Sequence, residues 1–398
     1  APALATQRAM SLEFPVVLGW ARSAVVPVAG AFAQLTVHEI GAPVARALLE
    51  RHGVPADAVD GIVCGNALAA GGNPARMIGL AAGLPDATAA YSIDTQCCAG
   101  LDAVAIGAGL VATGQAAIVV AGGAEAWSRA PIRQHRPRSP SEQPEPYERP
   151  AFAPDRNRDP DLSMAAARYA AEVGITRVDQ DQFAIESHAR ALAARERIAA
   201  EIVPLSGIQD DRYVRKLSAQ QAARMPVAAT CESPGPHFDS RTTALSRLSI
   251  SPKADGAAFV LLASRQAAST LGITPKLQWR GSMAIGGQPE MPMLAATRSA
   301  QALLARHDLG PSALWGVELH DAFAVQALAF ASAMGLRPER MNRAGGGLAR
   351  GHPIGASGAI SLVRLLADMA HDAPVSAIGL VAIAAAGGLG SSALIERI

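Results

Sequence analysis

The sequence predicts a layered α/β protein made by internal duplication and interrupted by an inserted subdomain. Three observations carry this. An order of elements read in residues 13–128 returns in residues 269–398. The strand-like segments, such as Ala117-Ile118-Val119-Val120 and Gly379-Leu380-Val381-Ala382-Ile383, are continuous apolar runs, the pattern of strands covered by helices on both faces. Between the halves the composition shifts to Pro, Arg, Ser and Glu.

In the first half, Gly61–Asn66 reads as a short strand, and Pro74-Ala75-Arg76 opens an Ala-rich helix that ends at Gly83. A strand at Ala90–Ile93 leads into a Gly/Cys turn, Asp94–Gly100, then a small-residue helix to Thr113, a strand at Ala117–Ala121 and the pair Gly122-Gly123. The second half repeats the order: a strand ending in Glu318-Leu319-His320-Asp321, a helix from Phe323 to Gly335, and a Gly/His turn at Gly351–Gly355. A helix from Ser357 to Ala370, a strand at Ile378–Ala384 and Gly387-Gly388 complete it. Arg129–Pro160 reads as surface loop and Leu162–Ala200 as helices, with Thr176 as N-cap. The expected domains are a first half over 13–128 completed by 248–268, an insert over 129–247, and a second half over 269–398.

Composition narrows the function. With 35 Lys and Arg against 34 Asp and Glu, no global field recruits nucleic acid or membrane, and an anionic ligand needs a local patch. The basic clusters Arg133, His135, Arg136, Arg138 and Arg212, Arg215, Lys216 all fall in the insert. Cysteines 64, 97, 98 and 231 suit neither a disulfide framework nor a zinc site, so no metal and a reducing, cytoplasmic setting are expected. No uncharged apolar run approaches the roughly 18–20 residues of a membrane span. Ala1–Glu13 lacks the apolar core of a signal peptide.

Three side chains stand where chemistry is expected. Cys97 lies between a strand and a helix start, whose dipole should lower its pKa, and Ala99 and Gly100 leave backbone N–H groups open to a carbonyl oxygen. By the repeat, His352 occupies the counterpart turn, and a pseudo-twofold axis would bring the two together as nucleophile and base. His320 ends an apolar strand, where α/β proteins place ligands. Each has a plainer alternative: free cysteines are most often inert core residues, Cys97 and Cys98 could form a redox pair, a histidine in a Gly-rich loop is more often structural, and Asp321 could satisfy His320. Gly345-x-Gly347-x-x-Arg350 misses the dinucleotide fingerprint, and no G-x-S-x-G or Walker loop exists.

From Val16 to Glu396 these residues resemble the thiolase family. Asp94-Thr95-Gln96-Cys97-Cys98-Ala99-Gly100-Leu101 is similar to its nucleophile motif N-x-x-C-x-S-G-L, and Ala121–Ser128 to A-G-G-x-E-x-M-S. Val173–Asp181 and Glu201-Ile202-Val203-Pro204 resemble its loop domain, and Asn342–Gly358, containing Gly-His-Pro-Ile-Gly-Ala-Ser-Gly, its most specific signature. The resemblance implies a five-layer α-β-α-β-α thiolase fold, a homodimer or homotetramer, and acyl-CoA as substrate with no permanently bound cofactor. It implies Cys97 as the acylated nucleophile, His352 as its base, Gly388 as a backbone contributor to the oxyanion site, and Ser251 and Arg241 as CoA contacts in a site whose basic insert meets the phosphates.

Departures limit the reaction. The family's Asn-Glu-Ala-Phe is His320-Asp321-Ala322-Phe323, where sterol-carrier-type thiolases have His-Asp-Cys-Phe, and the C-terminal C-x-G-G-G-x-G begins at Ala384. The stretch before Ser251 is also shorter than the family pattern. The second catalytic cysteine, which moves the α-proton of acetyl-CoA, is therefore missing. Cys97, His352 and His320 instead resemble the Cys-His-His set of decarboxylative condensing enzymes. The leading expectation is acyl transfer through acyl-Cys97 with Claisen-type C–C condensation, decarboxylative or, with His320 as base, of acetyltransferase/ketothiolase type. The alternatives are acyl transfer to O, N or S, an acyl carrier protein in place of CoA, and a non-catalytic CoA- or lipid-binding homologue.

Overall fold

The computed structural model describes residues 13–68, 71–231 and 240–398; apart from Glu13, the signal-peptide reading lies outside them. The first half runs β1 (Val16–Ser23), α1 (Val37–His52), β2 (Gly61–Gly65), α2 (Pro74–Ala82), β3 (Ala89–Ile93), α3 (Ala99–Ala112) and β4 (Ile118–Glu125). The insert contributes α4 (Leu162–Val173) and α5 (Arg177–Ala193), after which β5 (Ala254–Ala263) closes the first half. The second half runs β6 (Leu277–Gly286), α6 (Ala295–Arg306), β7 (Leu314–Leu319), α7 (Ala324–Ala333), α8 (Ser357–Asp372), β8 (Ile378–Ala385) and β9 (Leu389–Arg397).

These strands lie in the order β7-β8-β9-β6-β1-β5-β4-β2-β3. Within each half the first strand pairs antiparallel with the last, and the last antiparallel with the one before it. That strand in turn pairs parallel with the second. The halves meet edge to edge through Val16 opposite Gln278 and Val17 opposite Leu277. The third strand, β3 in the first half, shrinks in the second to one bridge between Met341 and Val317. The duplication read from the sequence is thus a duplication of strand order.

Local chemistry sets the helix ends. Asn73 caps α2 by accepting from the Arg76 N–H, with Pro74 in the first turn and Gly83 left-handed beyond the end. Thr176 and Asp179 form the capping box of α5. One apolar cluster packs α1 and α2 on the outer face of the first half-sheet, with Leu48, Ile78 and Phe259 buried. A second fills the space between the half-sheets with Leu101, Val104, Ala359 and Leu362 from α3 and α8. A third packs Leu303 of α6 and Phe330 of α7 on the outer face of the second half-sheet. Five layers result, α-β-α-β-α. Each large apolar side chain so buried contributes about 1.5–3 kcal/mol.

Arg129–Pro160 is largely exposed, with the short pairing of Gln134–His135 with Glu145–Pro146 and a 3-10 turn over Arg156–Arg158. A buried charge chain ties the insert to the core: Glu201 accepts from Arg22 at 2.6 Å and also pairs with Arg364, which reaches Asp368 at 2.7 Å. Such pairs are costly to break singly, because the remaining charge is stranded in the interior. Among the described residues no helix is long and apolar enough to cross a membrane, and no cluster of His, Cys, Asp and Glu could hold a metal ion.

Candidate active site

The turns before α3 and α8 meet at the middle of the molecule. Cys97 sits in a 3-10 turn over Gln96–Cys98, directly before α3, and its Sγ lies 3.1 Å from His352 Nε2. The other ring nitrogen, Nδ1, is 2.7 Å from Ser357 Oγ. The Ser357 hydroxyl has one proton, and it donates it to Pro353 O at 3.1 Å. Ser357 therefore accepts from His352 Nδ1–H, which leaves Nε2 with a lone pair facing the thiol. This is the arrangement of a general base on a nucleophile.

The expected lowering of the Cys97 pKa is overturned. Burial pushes the thiol up to about 12, against the helix terminus and the N–H groups of Ala386 and Cys97 directed at the sulfur. Burial also pushes His352 down to about 4. Both are neutral at rest, and the proton passes from sulfur to Nε2 as the sulfur attacks. Accordingly the thiolate absorbance near 240 nm, taken as wild type minus Cys97→Ala, should be absent between pH 6 and about 10. Such an absorbance at neutral pH, the mark of a thiolate–imidazolium pair, would contradict the neutral pair.

His320 follows β7, and its N–H donates to Ala382 O at 3.0 Å. Its ring lies 4.4 Å from the His352 ring, tilted by 31°. Asp321 does not satisfy it: that carboxylate accepts from the Gly347 N–H, whereas His320 Nε2 is buried without a partner. A Cβ at position 347 would stand 2.7 Å from His320 Cε1, so glycine there makes room for the ring. Burial first, then the neighbouring His352 and Arg350, hold the His320 pKa well below the usual histidine range.

The cleft above Cys97 is lined by Leu162, Ile250, Ser251, Met293, Ala322, Phe323, Gln326, His352 and Ala384–Ala386, among others. Both alanines at the positions of a second cysteine, 322 and 384, thus face the same space as Cys97, and no Lys or Arg lines it. Ser251 donates its hydroxyl to Gly347 O at 2.6 Å and its N–H to Ala322 O at 2.9 Å, which joins the segment after the insert to both histidine turns. Gly388 does not line the cleft. It packs against Gly287 and Gln288, where a Cβ would stand 2.8 Å from Gly287 O, and the backbone N–H beside the sulfur is that of Ala386 instead.

Arg241 is exposed and is not among the lining residues. Three arginines of the basic clusters make local contacts. Arg212 pairs with Asp210 at 3.0 Å, Arg215 stacks on Tyr213 at 4.0 Å, and Arg133 stacks on Tyr147 at 5.3 Å. Leu162, Met293, Gln326 and the orienting role of Ser357 were not anticipated. Only Ser357 carried a signal, its place five residues after His352 at a helix start.

The model of the thiolase N-terminal domain matches residues 15–266, and that of the thiolase C-terminal domain matches residues 273–397. An acetyl-CoA acetyltransferase of Cupriavidus necator is 34% identical over 403 residues, covering 96% of this chain and 99% of that protein. An acetyl-CoA acetyltransferase of Rhizobium meliloti is 34% identical over 405 residues, covering 98% and 100%. The crystal structure of the Acat5 thiolase from Ascaris suum in complex with coenzyme A superposes with a TM-score of 0.86 at 26% identity, over 97% of this chain and 100% of that one. With both halves of the family matched in order and the Cys97–His352 pair formed between them, the chain belongs to the thiolase family.

Proposed function

We propose that this chain is an acyltransferase with thiolase-type chemistry that takes an acyl group from a CoA thioester onto Cys97 and joins it to the α-carbon of a second thioester, that carbon being activated by loss of CO₂. The carrying observation is that Ala322 and Ala384 face Cys97 across the cleft. Neither can take an α-proton, and His352, the one imidazole in the lining, is engaged at Sγ. An α-carboxylate bound there would lie without a cationic partner, a state that decarboxylation relieves.

In the first step His352 takes the thiol proton, Sγ attacks the thioester carbon, and CoA leaves as a thiol carrying that proton. The N–H groups of Cys97 and Ala386 meet the developing oxyanion. In the second step the bond from Cα to the carboxylate breaks, CO₂ leaves, and the electron pair enters a thioester enolate, whose oxygen accepts from His320 Nε2, the ring nitrogen buried without another partner. Cα then bonds to the acyl carbon, and Cys97 leaves and regains a proton, one proton being consumed overall. The small cleft, about 100 Å³, favours a short acyl group. The exposed edge of β3, with Tyr91 at 47% accessibility, supports a homodimer formed along that strand. The free cysteines fit a reducing cytoplasm.

Intact-mass measurement after incubation with acetyl-, butyryl- and octanoyl-CoA tests the first step, and an adduct is expected with the shorter chains. No adduct with any of them would overturn the enzyme reading in favour of a CoA-binding module. For the second step a β-keto thioester is expected from malonyl-CoA and not from acetyl-CoA. Product from acetyl-CoA at a comparable rate would overturn the decarboxylative step and return the base role to His320.

A further inference from the structure

The residue immediately before the nucleophile has an uncommon backbone. Gln96 has φ +55°, a left-handed conformation that non-glycine residues seldom adopt. Asp94 is placed to hold it there: Oδ1 accepts from the Gln96 N–H at 2.9 Å and from the Gln96 side-chain amide at 3.1 Å. On the other side of the turn Thr95 Oγ1 donates to Asp102 Oδ2 at 2.5 Å, and the Cys98 N–H donates to Thr95 O at 3.2 Å. The chain between β3 and α3 is thereby bonded at Asp94, Thr95, Gln96 and Cys98, and the direction of the Cys97 N–H follows from the ψ of Gln96.

We propose that Asp94 is a positioning residue for acyl transfer, its carboxylate holding Gln96 left-handed so that the Cys97 N–H and Sγ both face the cleft. The proposal rests on the acyl-Cys97 reading. Released from Asp94, Gln96 relaxes toward the right-handed or extended regions, and the Cys97 N–H turns away from where the oxyanion develops. Acylation by a thioester requires that N–H, because a carbonyl oxygen becomes charged. Alkylation by iodoacetamide does not, because substitution at a saturated carbon makes no oxyanion. The two reactions at one sulfur therefore separate orientation from reactivity.

The test compares acetyl-CoA adduct formation and iodoacetamide alkylation in four proteins: wild type, Asp94→Ala, Asp94→Asn and Asp94→Ala with Gln96→Gly. Asp94→Ala should slow acylation about tenfold, the rate equivalent of the preference lost at a left-handed residue, and change alkylation by less than about twofold. Asp94→Asn keeps the acceptor oxygen and should acylate near the wild-type rate. Gln96→Gly accepts positive φ without Cβ strain and should restore acylation in the Asp94→Ala background. The proposal is overturned if a folded Asp94→Ala protein acylates like wild type, if acylation and alkylation fall together, or if glycine at 96 gives no recovery. A wild type that forms no adduct at all would instead overturn the acyl-Cys97 reading itself.

Discussion

Replacing Cys97 by alanine should leave no acyl adduct with any CoA thioester, and His352→Ala should slow adduct formation by about a thousandfold, within the usual range for general-base catalysis. The loss is large because the resting thiol is not ionised. With the Cys97 pKa raised to about 12 by burial, solvent supplies thiolate to this sulfur only at strongly alkaline pH, and the 3.1 Å contact to Nε2 is the local route for the proton. The effect of His352→Ala should therefore shrink as pH rises from 7 to 10, when hydroxide begins to substitute for the imidazole. A ratio of wild-type to variant rates that stayed flat across that range would mean that His352 does not act as the base. His320→Ala leaves the Sγ–Nε2 contact in place. It should spare the adduct and depress the condensation with malonyl-CoA, which places the two histidines in different steps.

The parts of this site that could be read in the sequence are those fixed by local chemistry and by the repeat. The turns at Asp94–Gly100 and Gly351–Gly355 declare themselves by glycine and by helix starts, and their equivalence in the duplication brings Cys97 to His352 once the halves pack. Capping at Thr176 is equally local. What failed depends on distant chain. The thiol was expected to be acidic because a helix begins beside it, but the burial that wins comes from β8 and the His352 turn, hundreds of residues away. Gly388 and Ala386 are two residues apart in one Gly/Ala run, and only the tertiary contact with Gly287 tells which of them turns away from the sulfur.

Gly123→Ala is expected to cost stability and to reduce catalysis with it. A Cβ at 123 would fall 2.0 Å from Gly355 O and 2.9 Å from Ala356 Cα. Both are backbone atoms, so no side chain can swing aside. The same Gly355 carbonyl is approached from α3, where a Cβ at Gly100 would stand 2.7 Å away, and the Gly355 N–H donates to buried Glu125 at 2.9 Å. The turn that carries His352 is thus held from both directions by the end of β4 and the start of α3. Displacing it by the fraction of an ångström needed to admit a methyl moves Nε2 off the sulfur. Overpacking of this kind costs typically about 1–3 kcal/mol, and more where backbone must yield. Gly109→Ala in α3 is the matched control, since nothing lies within 4 Å of its Cβ position; an alanine there should stabilise the helix by roughly 0.5–1 kcal/mol. Thermal or denaturant midpoints should move down for Gly123→Ala and up for Gly109→Ala, and only the first should slow adduct formation in the folded protein. Equal midpoints for the two variants would mean that the junction of the halves is looser than these contacts require, and that the Cys97–His352 distance is set elsewhere.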